Sequence, residues 1–540
     1  MILKNHLLRG RTIKIFGPPG TGKTYQLLKR IKYFLKKGVQ PNRIAYFSFT
    51  NKAVDETIDR LKTINQSYDE ETFPYFSTIH SFARQQFSEI PVLDPNDDMF
   101  QFHSDYGTIK IKAVKGFEDQ KILNNWSLRV YDKARNMKQD PVHAYKQQQR
   151  KEVRLPQYLS IISAYENFKH YEFEPGIFKQ DKLDFTDMIK KFITDGIVPQ
   201  LDVLMVDEAQ DLTPLQWDLI SKLAVETKIV YLAGDDDQAI YEWNGADVDF
   251  FIHFPGKNKI LKQSRRIPKT IHSFSNLLMA PAKGYRVEKE FKPKTEEGTI
   301  TTYPDIKKIN FNSDQSYMVL TRIRDVKAEV ENDLKDMGLY FQDVQGVRSF
   351  KIEQWQAIKS WSKVISGGSI TREEACIMYH YLQKIDHGFR SADSSKWSFA
   401  HENQPFNYDE LQLRCGLREE KDSWINSFKI RFSNKEKEYF IKALNNKFDL
   451  DRKSNIIVDT MHAVKGGEAD NVVLLSKANW PSHYERKNIL DKVKECRVWY
   501  VGATRAKQNL HLVNTHHKYH FPLGSIYNIF RRNYDTQRHV

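Results

Sequence analysis

The 540-residue sequence predicts the α/β fold class, with two α/β cores that are each interrupted by a mainly helical insertion. Three observations predict it. Apolar runs such as "LDVLMV" (201–206) have the length and composition of buried central strands. These runs alternate with segments of helical periodicity, the pattern of parallel α/β units. The alternation lapses over 84–180 and again over 346–452, and it resumes after each lapse. The expected organisation is a first core over 1–83 and 181–255 with a helical insertion at 84–180. A second core covers 256–345 and 453–540, with a second insertion at 346–452.

Taken in order, "RTIKIF" (11–16) reads as a strand. A Gly-rich loop follows, then a helix with Leu27, Leu28, Ile31, Phe34 and Leu35 at helical spacing and Gly38 as its stop. "RIAYFSF" (43–49) reads as the next strand, and "NKAVDETIDRLKTI" as a helix with Asn51 near its cap. Residues 84–180 carry polar runs such as "YKQQQRKEVR" and read as mostly helical. "LDVLMV" is followed at once by the acidic "VDEAQD" (206–211), at the sheet edge where open α/β sheets bind ligands. A solvated turn is the competing reading. Pro214 suits the first turn of the next helix, and Asp211 is a candidate cap for it. The strand "KIVYLA" comes next. Beyond residue 260 lie a helix in "PKTIHSFSNLLM", a strand in "SYMVL" (316–320) and a helix in "VKAEVENDLKDMG". The second insertion is dotted with Trp355, Trp361, Trp397 and Trp424. Strands "NIIV" and "NVVLL", a helix through 504 and the strand "QNLHLV" complete the second core.

Composition excludes several classes. No run approaches the ~18 apolar residues of a membrane span. The N-terminal "MILKNHLLRGRTIKIF" is too short and too charged for a secretory signal. The three cysteines (Cys376, Cys415, Cys496) have no metal spacing and point to a reducing compartment, with a cytoplasmic location expected. Lys and Arg outnumber Asp and Glu by 83 to 69, a net charge of +14 that suits a polyanionic partner.

The chemistry is concentrated in "GPPGTGKT". Gly17, Gly22, Lys23 and Thr24 stand at the phosphate-loop spacing, between a predicted strand and a predicted helix. Backbone N–H groups there wrap phosphate, Lys23 reaches the outer phosphates, and the Thr24 hydroxyl ligates Mg²⁺. Such a loop calls for a second carboxylate at a strand end to complete the Mg²⁺ shell, and Asp207 is the candidate. Glu208 beside it is placed to act as a general base on the attacking water.

The chain resembles the UvrD/Rep group of superfamily 1 DNA helicases. "GPPGTGKT" is similar to helicase motif I, "FSFTNKAVDE" to Ia, "STIHSFA" to Ib and "VDEAQD" to II. "GDDDQAIYEWNGAD" is similar to III, "LKQSRRIP" to IV, "DTMHAVKGGEAD" to V and "YVGATRAK" to VI, all in the same order. The resemblance implies two RecA-like P-loop NTPase cores with ATP between them and single-stranded DNA across their tops. It assigns the nucleotide cradle to Gly17, Pro18, Pro19, Gly20, Thr21, Gly22, Lys23, Thr24 and Tyr25, with Glu468 on the ribose. Gln238 would sense the γ-phosphate, and Arg266 and Arg505 would reach it from the second core. Phe49, Thr50, Asn51, Thr78, His80, Ser81, Trp243 and His462 fall in the strand-contacting motifs, and "LDFTDM" (183–188) resembles a further family stretch or reads as a helix cap. Hydroxyls and amides can hold phosphates, and aromatic faces can stack on any base.

The sequence departs from the family pattern in three places. No Gln precedes the phosphate loop, Arg265 stands where the family has a base-stacking Tyr, and the second insertion is shorter than in larger members. The expected activity is ATP- and Mg²⁺-dependent unwinding at single-strand/duplex junctions, moving 3′ to 5′ because "QAIYEWNGA" and "VKGGE" resemble the UvrD/Rep wording. The rival readings are a translocase that strips proteins without unwinding and a catalytically silent nucleic-acid-binding protein of the same fold.

Overall fold

The computed structural model describes residues 8, 10–93, 102, 117–148, 152–169, 172–174, 177–179, 181–311, 314–386, 388–390, 395–401, 403–479, 488–515 and 517–538. Its strands in chain order are β1 (Thr12–Phe16), β2 (Ile44–Phe47), β3 (Phe76–Ser77), β4 (Glu172–Glu174), β5 (Ile177–Lys179), β6 (Val203–Val206), β7 (Ile229–Gly234), β8 (Lys257–Ile260), β9 (Thr299–Tyr303), β10 (Tyr317–Thr321), β11 (Ile456–Thr460), β12 (Ala469–Leu475) and β13 (Ala506–Val513). β4 and β5 pair with each other as an antiparallel hairpin. The others form two sheets, ordered β3-β2-β6-β7-β1-β8 and β11-β10-β12-β13-β9. Every pairing in these two sheets is parallel. Parallel sheets are covered on both faces, which is why their central strands read as unbroken apolar runs, whereas the edge strands β8 and β9 are polar and largely exposed. In β6, Val203 and Met205 enter one core cluster while Leu204 and Val206 enter the other. That is the two-residue alternation of a strand.

The chain divides into two compact units, one comprising 1–267, 279–295 and 489–500 and the other 268–278, 296–488 and 501–540. This moves an expected boundary. The sequence places residues from 256 onward in the second core, yet β8 pairs with β1 and extends the first sheet, with Phe16 opposite Ile260. An α/β alternation reads the same whichever sheet receives the strand, so periodicity alone could not place it. The segment 489–500, expected in the second core, also clusters with the first unit.

Within the first unit, the insertion contributes helices Phe117–Asn136, Pro141–Gln147 and Leu155–Lys169 besides the β4–β5 hairpin. Most of its expected helical stretch over 94–116 lies outside the described residues. Buried charges tie it to the helix Phe185–Asp195: Arg135 meets Asp184 at 2.6 Å and Asp187 at 3.0 Å, and Lys169 meets Asp187 at 2.6 Å. Asp184 also caps that helix, in a capping box with Asp187. The cap reading of "LDFTDM" therefore holds.

In the second unit, the described residues of 346–452 form the helices Ile352–Ile365, Arg372–Tyr379, Tyr408–Arg414, Trp424–Ser427 and Asn434–Asn445, joined by turns, around an aromatic core. Trp361, Trp397 and Trp424 are buried in it and Trp355 packs against it. The tryptophans of this stretch are thus structural. Two capping expectations change. Thr50, rather than Asn51, caps the helix Asn51–Lys62. Thr213, in a capping box with Gln216, caps the helix that opens with Pro214. Asp211 lies in the preceding turn, where it accepts from Gln210. Among the described residues no helix is long and apolar enough to cross a membrane.

Candidate functional site

Parallel pairing brings several strand ends to one edge of the first sheet. Phe47, Val206 and Leu232 are in register across β2, β6 and β7, and Phe16 sits opposite Gly234. The loops leaving these ends carry the motifs, as expected at the carboxyl edge of an open α/β sheet. Gly17 N–H donates to the Gly234 carbonyl at 3.0 Å and starts the phosphate loop. The helix Lys23–Lys36 begins directly after it, with Gly22 as N-cap and no side-chain cap. Its first N–H groups are therefore available to an anion. Gly20 has φ +73°, and a Cβ there would meet Arg266 Cβ at 2.4 Å, so the position requires glycine.

The acidic corner meets this loop side on. Thr24 Oγ1 donates to Asp207 Oδ2 at 2.6 Å, and the Tyr46 hydroxyl donates to the same oxygen at 3.3 Å. Asp207 is buried, and burial, reinforced by the charge of Glu208, pushes its carboxyl up to about 6. Glu208 holds a left-handed φ of +52° and is half-buried, with Lys23 Nζ 3.7 Å from its Oε1. Lys23 also donates to the Gly17 carbonyl at 3.2 Å. The solvated-turn reading of "VDEAQD" fails on this geometry. The Thr24 hydroxyl beside a buried carboxylate is a pair of hard oxygen donors that fits Mg²⁺, and a cation there would offset the burial of Asp207.

Gln210, which the sequence reading passed over, links this corner to the end of β7. Its Nε2 donates to Glu208 Oε2 at 2.6 Å, and its Oε1 accepts from the Asp235 N–H at 2.9 Å. Gln238 Nε2 in turn donates to Asp235 Oδ2 at 2.8 Å. Three aspartates, Asp235, Asp236 and Asp237, are fully buried here around the fully buried Lys289. Lys289 lies 3.0 Å from both Asp235 and Asp237 and also bonds Asp236, while Arg286 bonds Asp237. Burial alone would lower Lys289, but the three carboxylates raise it, so it stays charged. Nothing in the sequence marks Lys289 or Arg286 as different from other basic residues.

"LKQSRRIP" braces the phosphate loop from below. Ser264 Oγ donates to the Pro19 carbonyl at 2.8 Å and Arg265 N–H donates to the Gly20 carbonyl at 2.9 Å. Arg265 is exposed and Arg266 is half-buried. Both belong to the same unit as the loop, so the expectation that Arg266 comes from the second core is corrected. The reason is β8, which carries this segment on the first sheet.

A second cluster faces outward from the same unit. Phe49 is 44% exposed and stacks on Tyr241, with ring centroids 5.2 Å apart and an interplanar angle of 9°. Trp243 is 62% exposed and sits edge-on to Tyr241 at 6.4 Å. Neither Phe49 nor Trp243 is a core aromatic. His80 meets Phe185 edge-on at 5.6 Å, and its burial lowers its pKa, leaving a neutral ring. Thr50 and Thr78 cap the helices Asn51–Lys62 and Ile79–Gln85, accepting from Ala53 N–H at 3.3 Å and Ser81 N–H at 3.2 Å. A cavity of 360 Å³ is lined by Phe49, Thr78, His80, Phe185, Tyr241 and Asn244 among others, and one of 450 Å³ by Phe49, Thr50, Asn51, His80 and Ser81 among others. The structure thus brings Phe49, Thr50, Asn51, Thr78, His80, Ser81 and Trp243 onto one face. Tyr241 and Phe185 complete it. Tyr241 is legible in hindsight, two residues before Trp243 in "YEWNGAD".

His462, Glu468 and Arg505 lie in the second unit. His462 follows β11, and burial, with Arg322 and Lys465 nearby, pushes its ring down to about 3. Glu468 is exposed. Arg505 is buried, its Nε donating to the Val501 carbonyl at 2.9 Å and its Nη1 to the Gly467 carbonyl at 3.2 Å. A surface-charge reading of Arg505 is therefore excluded.

Two RecA-like cores, the first carrying a phosphate loop and an acidic strand end, define a P-loop NTPase. The UvrD/REP helicase N-terminal domain profile matches residues 4–259, and the UvrD-like helicase C-terminal domain profile matches 415–517. The chain belongs to the UvrD/Rep family of superfamily 1 helicases. It is similar to a protein named probable DNA helicase II homolog from Mycoplasma capricolum, at 26% identity over 62% of this chain and 46% of that one. The protein of the same name from Mycoplasma pneumoniae is 22% identical over 93% of this chain and 82% of its own. ATP-dependent DNA helicase PcrA of Staphylococcus aureus is 27% identical over 48% of this chain and 37% of its own. The chain spans about half the length of the first curated relatives it matches. A solved structure titled as an Arterivirus nonstructural protein 10 (helicase) complex with DNA aligns over 98% of this chain and 65% of that one, at 9% identity and a TM-score of only 0.33.

Proposed function

We propose that this chain is an ATP-dependent DNA helicase that moves 3′ to 5′ along single-stranded DNA and opens duplex at single-strand/duplex junctions. One observation carries the reading. The loop leaving β7 is joined to Glu208 through Gln210 at its start, and a few residues later it presents Tyr241 and Trp243 beside Phe49. Phosphate chemistry and strand contact thereby share one short segment.

In this reading, loop 17–22 and the start of the following helix bind the outer phosphates through backbone N–H groups. Lys23 supplies a fixed cation. Thr24 and Asp207 would hold Mg²⁺, which when bound neutralises phosphate charge. Glu208 orients the attacking water and accepts its proton. Gln238, fixed on Asp235, responds to the terminal phosphate. Arg266 and Arg505 stabilise the charge of the transferring group, and Glu468 binds the ribose, as the family resemblance implies. Stacking on Phe49, Tyr241 and Trp243 is indifferent to base identity, which suits a motor. The 3′-to-5′ direction is supported by "QAIYEWNGA" and "VKGGE" alone.

The test is ATP-dependent strand separation on 3′-tailed, 5′-tailed and blunt duplexes. Opening of the 3′-tailed substrate is expected. Opening of only the 5′-tailed one rejects the direction. DNA-stimulated hydrolysis without unwinding leaves the protein-stripping translocase, and no hydrolysis at all leaves the silent binding protein.

A further inference from the structure

Glu242 stands between Tyr241 and Trp243, on the face proposed to bind a polyanion. On charge alone an acid there opposes binding. Its surroundings give it another task. Arg497 Nη1 donates to Glu242 Oε1 at 2.9 Å, and Lys494 Nζ lies 3.0 Å from Glu242 Oε2. The Arg497 side chain is only 5% exposed, and its Nη2 also donates to the Tyr285 carbonyl at 3.2 Å. Lys133, on the insertion helix Phe117–Asn136, belongs to the same cluster. Burial and Lys494 lower its pKa while Glu242 opposes them.

The backbone beside Glu242 is pinned as well. The residues Glu242–Asn244 form a single 3₁₀ turn, an element with little stability of its own. Gly245, which ends it, has φ +94°, and a Cβ there would meet Met137 Cγ at 3.2 Å and Lys133 Cγ at 3.7 Å. Trp243, 62% exposed and edge-on to Tyr241, is carried on this turn, so the turn sets where its ring stands.

We propose that Glu242 and Arg497 are a positioning pair, in which the buried guanidinium holds the 242–244 turn so that Trp243 stands ready to stack on a base. The inference rests on the proposed strand-binding reading of this face. Neither residue touches the strand. Their removal loosens the platform without removing a phosphate contact.

The test uses the full chain and a fluorescent oligo-dT, with affinity measured across a salt series. Glu242→Gln keeps shape and removes a negative charge. The expected result is weaker binding, on the order of tenfold, with an unchanged salt slope and basal ATPase; the melting temperature falls, because the buried Arg497 loses its anionic partner. The DNA concentration for half-maximal ATPase stimulation should rise while the saturated rate holds. Equal or tighter binding, the outcome for a simple repelling acid, overturns the proposal. Arg497→Gln should also weaken binding at constant slope, and Arg497→Lys should recover part of the loss. A slope reduced by about 0.7, the signature of one lost phosphate contact on a single strand, makes Arg497 a direct ligand and overturns it too. If the unaltered chain binds no oligo-dT, the functional reading fails and this inference with it. If only the variants behave like the unaltered chain, the positioning role alone fails.

Discussion

The Phe49 ring lies parallel to the Tyr241 ring, 5.2 Å away at 9°, although the two residues come from loops that follow different strands. Phe49 is exposed and Tyr241 half-buried, so the stack covers one face of each ring and leaves the outer face of Phe49 to solvent. The pair extends through Tyr241 to Trp243, which makes a continuous aromatic surface.

Trp243→Ala should cost about 1–3 kcal/mol of strand affinity, the usual worth of a base-stacking side chain. That is roughly 5- to 150-fold in binding. Because Trp243 is 62% exposed, the melting temperature should hold. Basal ATPase should also hold, since no phosphate-loop group is touched. Fluorescence titration, calorimetry and a phosphate-release assay on one preparation check this. Normal strand affinity ends the stacking role.

Lys23→Ala should lower hydrolysis by on the order of 10²–10³ or more, the cost of one lost charge-stabilising donor. Lys23 reaches Gly17 and Glu208 and none of the aromatic face. Strand affinity measured without nucleotide should therefore stay near that of the unaltered chain. Turnover that survives the change contradicts the phosphate-loop assignment.

Much of this site was legible in the sequence because its signals are local. The run "LDVLMV" must be buried on both faces, and "GPPGTGKT" needs only its own backbone to make a cradle. What escaped depends on distant partners. β8 joins the first sheet through a register with β1 that no local pattern encodes. Lys289 is one basic residue among 83 until three aspartates 52 to 54 positions earlier close around it. Gln210 and Ser264 act through single hydrogen bonds to other loops, so composition gave them no weight.

His462 gives a prediction in pH. Its ring is held down at about 3 by burial, with Arg322 and Lys465 adding to the effect. The unfolded value is about 6.5. The folded pKa is depressed, so the unfolded chain binds the proton more readily, and stability is lost as pH falls below about 6.5. The loss between pH 6.5 and 5 is at most about 2 kcal/mol, at 1.36 kcal/mol per unit. His462→Gln should flatten that part of the stability profile in denaturant titrations. A neutral ring also means that strand affinity shows no His462 protonation step between pH 6 and 8. A step there that vanishes in His462→Gln would mean the ring binds phosphate as a cation.

Lys289→Met tests the buried aspartate cluster behind Gln238. The lysine is fully buried and is the shared partner of Asp235, Asp236 and Asp237, with Arg286 on Asp237 as the second cation. Removing one partner from a buried ionic group costs about 3–5 kcal/mol, because the remaining charges stay uncompensated. Methionine keeps most of the volume, so the cost should be electrostatic and should depend on pH. Burial, aided by the neighbouring aspartates, already pushes Asp237 up to about 7 against the pull of Lys289. Without the lysine the cluster holds protons more tightly when folded than when unfolded. Stability is then retained at low pH and lost as pH rises from about 4 through the raised folded values. The deficit of Lys289→Met should accordingly be larger at pH 8 than at pH 5 in urea unfolding. Gln238 is fixed on Asp235, so hydrolysis should fall alongside stability at pH 8. A deficit that is the same at both pH values assigns the cost to packing and removes the charge cluster as the support of the motif III loop.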